Sequence, residues 1–323
     1  SLMKSYYGDA ANAENNYAYD WIPKRDAGFD TMHMFELMHQ GKMNGFITQG
    51  FNPLATVPNK NKLSTALAKL KYLVSIDPLE TETAEFWQNF GPFNDVKPED
   101  IQTEVFRLPS NCFAEEEGSL TNSSRVLIWK EEATPLPGEA KVDSEIMARL
   151  FMRLRQMYAK DGGALPEPIA NLAWDYVLPN VPSSRELLRE INGKAITDLL
   201  APPDPNNPDA PRAVVAKAGQ QVSGFAQLRD DGSTSCGNWL YSGCWTEAGN
   251  LTARRDLSDP TGWGVFPNFG FAWPANRRIL YNRASSDKDG KPWAPNKNHD
   301  YWNGKAWPGA DVPDMAPAVA PSP

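Results

Sequence analysis

The chain has 323 residues, 41% of them hydrophobic, enough for one large or two ordinary domain cores, so disorder is not its default state. A formal net charge of -8 and a pI near 5.1 exclude a nucleic-acid binder, which needs clustered Lys and Arg to displace counterions from phosphates. No apolar run is long enough to cross a bilayer and SLMKSYYGDA has no signal-peptide core, so the chain is expected to be soluble.

Residues 1–28, rich in Tyr, Asn and Asp without periodicity, are expected to form an extended approach segment. From Asp30 the spacing becomes helical: Met34, Leu37 and Met38 follow an Asp30 or Thr31 cap, and Gly41 ends a helix over residues 31–41. Gly45 to Thr48 make a short strand that stops at Gln49-Gly50, and the loop GFNPLATVPN leads into the helix KNKLSTALAKL. A second strand, Tyr72 to Ile76, ends at Asp77-Pro78, and TETAEFWQ is expected to start another helix with Thr81 or Thr83 as cap. Two such strand-to-helix turns imply a parallel sheet, with both turns facing one crevice at the carboxyl ends of the strands.

Beyond Asp95, TEVFRLPSNCFAEEEGSLTNSSRVLIWK reads as strand, loop and strand. VDSEIMARLFMRLRQMYAKDG is an amphipathic helix whose buried face is expected at Ile146, Leu150, Leu154 and Met157. After Gly163 regularity fades. A helix near Ser184 to Glu190, a Pro-rich linker APPDPNNPDAP and a hairpin before GQQVSGFAQL are expected, followed by an irregular, aromatic stretch. The 11 Trp and 28 Pro concentrate in this half and suggest long ordered loops packed on a partner surface.

Individual residues carry limited chemistry. Gly50 allows close backbone approach and Asn52 offers an amide to a ligand, although an ordinary Gly-Asn-Pro turn explains the same residues. Asp77 stands where an acidic side chain meets a nucleotide's ribose or base, or where it simply caps. TETA places hydroxyls and a carboxylate at a helix N-terminus suited to phosphate, or to plain capping. There is no GxGxxG and no P-loop. The run Glu115, Glu116, Glu117 reads as a solvated loop, and the six-residue spacing of His33 and His39 is wrong for a shared metal. Cys112, Cys236 and Cys244 are too scattered for a disulfide scaffold. Cys236 with Cys244 is the pair expected if one bridge forms.

Taken in order, GFITQGFNPLATVPN, LVSIDPLETETAEFW and FRLPSNCFAEEEGSLTNSSR resemble the middle of molybdopterin oxidoreductases. FAQLRDDGSTSCGNWLYSGCWTEAGN and FAWPANRRILYNRASSDKDGKPW are similar to the catalytic subunit of respiratory formate dehydrogenases. The resemblance implies a Rossmann-like three-layer α/β/α domain with a parallel sheet over residues 29–163, followed by a largely irregular Pro/Trp-rich extension over 164–323. It implies a bis(molybdopterin guanine dinucleotide) molybdenum cofactor, with Gly50 and Asn52 near its phosphates or pterin, Asp77 at the guanosine, and Thr81 at the guanosine or pyrophosphate. Asp143 matches an acidic cofactor contact. Glu116 falls where some relatives carry lysine, with Arg125 as a substitute.

The same resemblance places the molybdenum ligand, a selenocysteine or cysteine followed by histidine, upstream with an iron-sulfur cluster, and a β-barrel domain downstream. None of the three cysteines precedes a histidine, so no catalytic or metal-ligating residue is assigned within the chain. It is therefore expected to be an internal segment, inactive and without cofactor when isolated. Its implied partners are the remaining domains of the subunit, an iron-sulfur electron-transfer subunit and a membrane cytochrome subunit, in the periplasm. Arg277, Arg278 and Arg283 suggest an anion entry path or a docked surface loop. The alternatives are a non-catalytic scaffold with a degenerate molybdopterin-like domain, or part of another molybdenum enzyme such as a nitrate reductase.

Overall fold

The computed structural model describes residues 1–24, 30–88, 94–121, 126–177, 181–259, 266, 268–272, 289, 291–292 and 301–306. Arg125, Arg277, Arg278 and Arg283 lie outside the described residues. The first residues are helical rather than extended: α1 is Leu2–Tyr7, and 3-10 turns follow over Gly8–Ala10 and Ala13–Trp21. Tyr7 buries its ring edge-on against Trp21, with centroids 5.0 Å apart.

The parallel sheet forms as its sequence signals require. Asp30 caps α2 (Thr31–His39), its side chain accepting the His33 N–H at 2.7 Å, and Gly41 takes φ +71° to leave the helix. Strand β1 (Gly45–Gln49) leads through the one-turn α3 (Pro53–Thr56) and α4 (Lys60–Leu67) to β2 (Tyr72–Asp77), and β3 (Glu104–Pro109) completes the order β1-β2-β3. All neighbours are parallel and in register, with Phe46, Leu73 and Val105 in one row and Ile47, Val74 and Phe106 in the next. The first row faces Phe35, Met38, Leu63 and Leu67 of α2 and α4 in the main core, each large side chain contributing roughly 1.5–3 kcal/mol. The fold is thus α/β and Rossmann-like. On the opposite face Ile47, Tyr72 and Phe106 remain 54%, 51% and 43% exposed.

One expected helix is absent. TETAEFWQ forms a series of turns with a single helical bond, Glu85 N–H to the Thr81 carbonyl at 3.2 Å. Thr83, fully buried, spends its hydroxyl on the preceding loop, and Phe86 inserts into the core, so the backbone follows those anchors.

The expected strand, loop and strand resolve into three strands in two sheets. After β3, strands β4 (Gly118–Thr121) and β5 (Val126–Lys130) form an antiparallel pair. The three glutamates diverge as a loop dictates: Glu115 accepts the Cys112 N–H, Glu116 pairs with Lys130, and Glu117 pairs with Arg185. Helix α5 (Asp143–Asp161) has the expected span but not the expected burial. Ile146 is buried, whereas Leu150, Leu154 and Met157 are 43%, 39% and 48% exposed. The helix packs through an adjacent face instead, where Phe151 lies 4.5 Å from Trp174 and Arg155 donates to the Ala170 and Leu172 carbonyls beside α6 (Pro166–Ala170).

In the second half a Ser183–Glu186 capping box starts α7 (Ser184–Asn192). Short strand β6 (Lys194–Ala195) follows, and then β7 (Leu199–Leu200) pairs antiparallel with β8 (Val214–Ala216). The Pro-rich segment is therefore the tip of a hairpin and not a linker, because the apolar strands on either side of it pair. Strand β9 (Thr234–Ser235) returns beside β6, β10 (Trp245–Thr246) pairs with β11 (Gly249–Asn250), and β12 (Phe271–Ala272) joins β5. Ser1 Oγ lies 2.7 Å from Thr234 Oγ1, and Ser5 donates to Glu190 at 2.9 Å, so the first residues pack on this half.

Cys236 and Cys244 do not pair. Both are buried free thiols, Cys236 against the Ile191 carbonyl at 3.2 Å and Cys244 within the core of Leu127, Trp129 and Leu188. Burial pushes both thiols up, that of Cys244 to about 12. A maleimide added to the native protein is expected to modify exposed Cys112 and to reach Cys236 and Cys244 only after unfolding. Mass spectrometry of native and denatured samples checks this, and rapid native labelling of Cys244 would refute it.

Candidate functional site at the carboxyl edge of the sheet

The loops leaving the carboxyl ends of β1 and β2 are where a parallel sheet holds ligands. After β1 the chain turns at Gly50, φ +56°, with its N–H on the Ile76 carbonyl at 3.0 Å. A Cβ at Gly50 would meet no heavy atom within 4 Å, so the glycine serves the turn and leaves open space above it. Asn52, half-buried, then bridges the two loops. Its Oδ1 accepts the Thr83 hydroxyl at 2.8 Å, and its Nδ2 donates to Glu82 Oε2 at 2.5 Å. Thr83 Oγ1 in turn accepts the buried Leu54 N–H at 3.1 Å. The hydrogen bond from Asn52 holds the Glu82 carboxyl below its ordinary range.

Asp77 ends β2 half-buried, its Oδ1 accepting the Leu79 N–H at 3.3 Å, and Thr81 Oγ1 accepts the Ala84 N–H at 3.3 Å. Beside them a cleft of about 300 Å³ is lined by Ser75, Asp77, Leu79, Glu80, Arg107 and Pro109, among others. A second cleft of about 410 Å³ adjoins it across Pro78, Leu79 and Pro109. Arg107 is anchored by ion pairs to Glu80 and Glu85, Glu80 contributing most to holding its guanidinium above its ordinary range.

Asp143 brings the start of α5 to the same edge. Its N–H donates to Asn111 Oδ1 at 3.1 Å, and its Oδ2 accepts Gln49 Nε2 at 2.7 Å. Its Oδ1 is buried with no hydrogen-bond partner, an acceptor left over where buried polar atoms are normally satisfied. Gly50, Asn52, Asp77, Thr81 and Asp143 thus all occupy loops or helix starts at the strand ends. Glu116 is drawn away to Lys130, which lies 3.6 Å from its carboxylate and donates to its carbonyl at 2.5 Å.

Sequence reasoning passed over Gln49, Arg107 and Asn111, and it read Thr83 and Glu82 only as part of a helix start, as a cap or a phosphate contact, not as partners of Asn52. Thr83 carried a usable signal, because a hydroxyl beside Ala84 and Phe86 in an apolar run must find a partner. A larger cleft of about 440 Å³ lies between α1 and α7, but Glu190 within it already accepts Ser5 and Tyr176 at 2.9 and 2.8 Å. The sheet edge, with an acceptor unused and open space at Gly50, is therefore the candidate site. It offers the carboxylates of Asp77 and Asp143. Among the described residues no group of three or more His, Cys, Asp or Glu is placed to hold a metal, and no helix is long and apolar enough to cross a membrane.

No protein-family model matches the chain. The chain is 53% identical over 318 residues to the formate dehydrogenase-O major subunit of Escherichia coli (strain K12), covering 98% of this chain and 31% of that protein. It is 51% identical over 323 residues to the nitrate-inducible formate dehydrogenase major subunit of the same organism, covering 100% of this chain and 31% of that one. Similarity to the assimilatory nitrate reductase catalytic subunit of Bacillus subtilis (strain 168) is weaker and partial, 30% over 135 residues and 42% of this chain. The chain therefore spans about a third of the length of the formate dehydrogenase subunits it matches, and it matches them from one half through the other.

Proposed function

We propose that this chain, homologous along nearly its whole length to formate dehydrogenase major subunits, is the part of such a subunit that cradles the nucleotide end of its cofactor. The protein built around it oxidises formate to carbon dioxide. The observation that carries the reading is the convergence of Gly50, Asn52, Asp77, Thr81 and Asp143 on one edge of a parallel sheet, with Asp143 Oδ1 unsatisfied. A bis(molybdopterin guanine dinucleotide) molybdenum centre fits this edge. The carboxylates of Asp143 and Asp77 are acceptors for the N–H and hydroxyl groups of a guanosine, and the absence of a side chain at Gly50 leaves room for the group to approach the turn. When bound, that centre supplies the two-electron oxidation of formate. The chain's own residues bind and orient it, which is the protein's share of the work when a cofactor carries the chemistry. Within this reading the electrons pass to an iron-sulfur subunit and a membrane cytochrome subunit, and the assembly stands in the periplasm.

The test uses the full-length protein that carries this segment. Formate-dependent dye reduction with stoichiometric molybdenum and pterin is expected. Asp143→Ala is expected to weaken cofactor retention about tenfold or more, the loss of one or two hydrogen bonds to a charged group. A protein that assembles with partners but neither holds molybdenum nor oxidises formate would instead establish the scaffold reading.

A further inference from the structure

A carboxylate that is to hold a ligand must present one oxygen in one direction, yet the terminal torsion of an aspartate is soft and turns easily. At the start of α5, Asp143 is restrained twice, from the ends of two different strands. Asn111, two residues beyond β3, accepts the Asp143 N–H at 3.1 Å and fixes the backbone. Gln49, the last residue of β1, donates its Nε2 to Asp143 Oδ2 at 2.7 Å and fixes the side chain. Gln49 is itself held on a rigid element: it stands opposite Ile76 of β2, and the N–H of the next residue, Gly50, bonds to the Ile76 carbonyl at 3.0 Å. The two carboxylate oxygens are thereby distinguished. Oδ2 is taken, and Oδ1 is buried with no partner.

We infer that Gln49 is a positioning residue for the cofactor's guanosine: it engages Oδ2 of Asp143, so that Oδ1 is the oxygen left to accept from the ligand. The inference rests on the proposed function, in which Asp143 accepts from a guanosine, and adds to it the residue that sets the orientation of that carboxylate. The chemistry of the donor supports the role. A lysine or arginine at this place would neutralise Asp143, whereas an amide donates a hydrogen bond without adding charge, so the carboxylate keeps its negative charge for the ligand. The exposure of Gln49 points the same way, because an exposed glutamine is held by little besides this bond to a residue 94 positions away.

The test uses the full-length protein that carries this segment. Guanine nucleotide, released as GMP by acid hydrolysis, and molybdenum are measured per polypeptide. Gln49→Ala is expected to lower both about three- to tenfold, as for the loss of one hydrogen bond. Gln49→Glu keeps the size of the side chain but replaces the donor by an acceptor, and is expected to lower them at least as much. In an Asp143→Ala background the same Gln49→Ala change should alter them less than about twofold, because the two residues act through one contact. A purely structural role for Gln49 would give the same loss in both backgrounds, and that result would overturn the inference. Full guanine and molybdenum content in Gln49→Glu would overturn it as well, whatever the double variant shows. The two claims fail in different ways. Wild-type protein that holds neither guanine nucleotide nor molybdenum sinks the cofactor reading, whereas a loaded wild type with equally loaded Gln49 variants sinks only the positioning role.

Discussion

Asn192→Ala is expected to cost about 3–5 kcal/mol, as much as a large core truncation, although it removes a polar side chain. Asn192 is fully buried at the end of α7. Its Oδ1 accepts the N–H groups of Gly243 and Trp245 at 2.7 and 3.2 Å, and its Nδ2 donates to the carbonyls of Gly193 and Val222 at 3.0 and 3.1 Å. One amide thereby satisfies three backbone segments that have no extended sheet to satisfy them. Truncation leaves two N–H groups buried and unpaired, each worth roughly 1–3 kcal/mol, together with a small void. Asn192→Asp should be no milder, because it keeps the shape but loses both donors and buries a charge. Urea unfolding followed by the fluorescence of Trp129 and Trp245, which pack at 6.4 Å, measures the loss. A loss below about 1 kcal/mol would show that water or a local shift replaces the amide.

Thr83→Val is expected to have the next largest effect and to reach the candidate site as well as stability. The substitution keeps the shape but strips the hydroxyl that accepts from Leu54 and donates to Asn52, leaving a buried N–H unpaired at about 1–3 kcal/mol. Asn52 then loses the partner that fixes its carboxamide; on the proposed function, cofactor content of the full-length protein falls with it, whereas Thr83→Ser should restore both. The Asn52–Glu82 bond adds a pH signature. The Glu82 carboxyl is lowered in the folded state, so its contribution is complete above the ordinary glutamate value of 4.5 and is lost as pH falls through the lowered value. Unfolding midpoints of wild type and Glu82→Gln should therefore differ at neutral pH and converge in acid. A difference that persists unchanged in acid would detach the carboxylate from the clasp.

The α/β half was legible because its signals are local and redundant. Asp30 and Gly41 bracket a helix, strand ends coincide with Gln49-Gly50 and Asp77-Pro78, and two adjacent turns of the same kind force a common edge. What failed depended on tertiary partners. TETAEFWQ has helical spacing, but Thr83 and Phe86 are claimed by the neighbouring loop and the core. The stripe of α5 reads as buried by periodicity, yet periodicity reports which face is apolar and not what lies against it. The Pro-rich stretch looked like a linker because two- and three-residue strands such as β7 and β8 leave almost no pattern. Of the candidate site, the turn residues were visible and the side chains that join them were not. Glu82, Gln49 and Asn111 act across 30, 94 and 32 residues of sequence, and no single stretch encodes such a meeting.

The packing of α1 on the second half has a bearing on how the chain is made. Ser1 meets Thr234 across 233 positions, and Ser5 meets Glu190 across 185. At roughly 5–20 residues per second, a ribosome that has made α1 needs on the order of ten to fifty seconds to deliver its partner strand. Until then Ser1 and Ser5 lack these partners, while Tyr7 can already pack on Trp21 and the parallel sheet downstream can assemble. Within this segment, the contacts of α1 with the second half are therefore among the last to form.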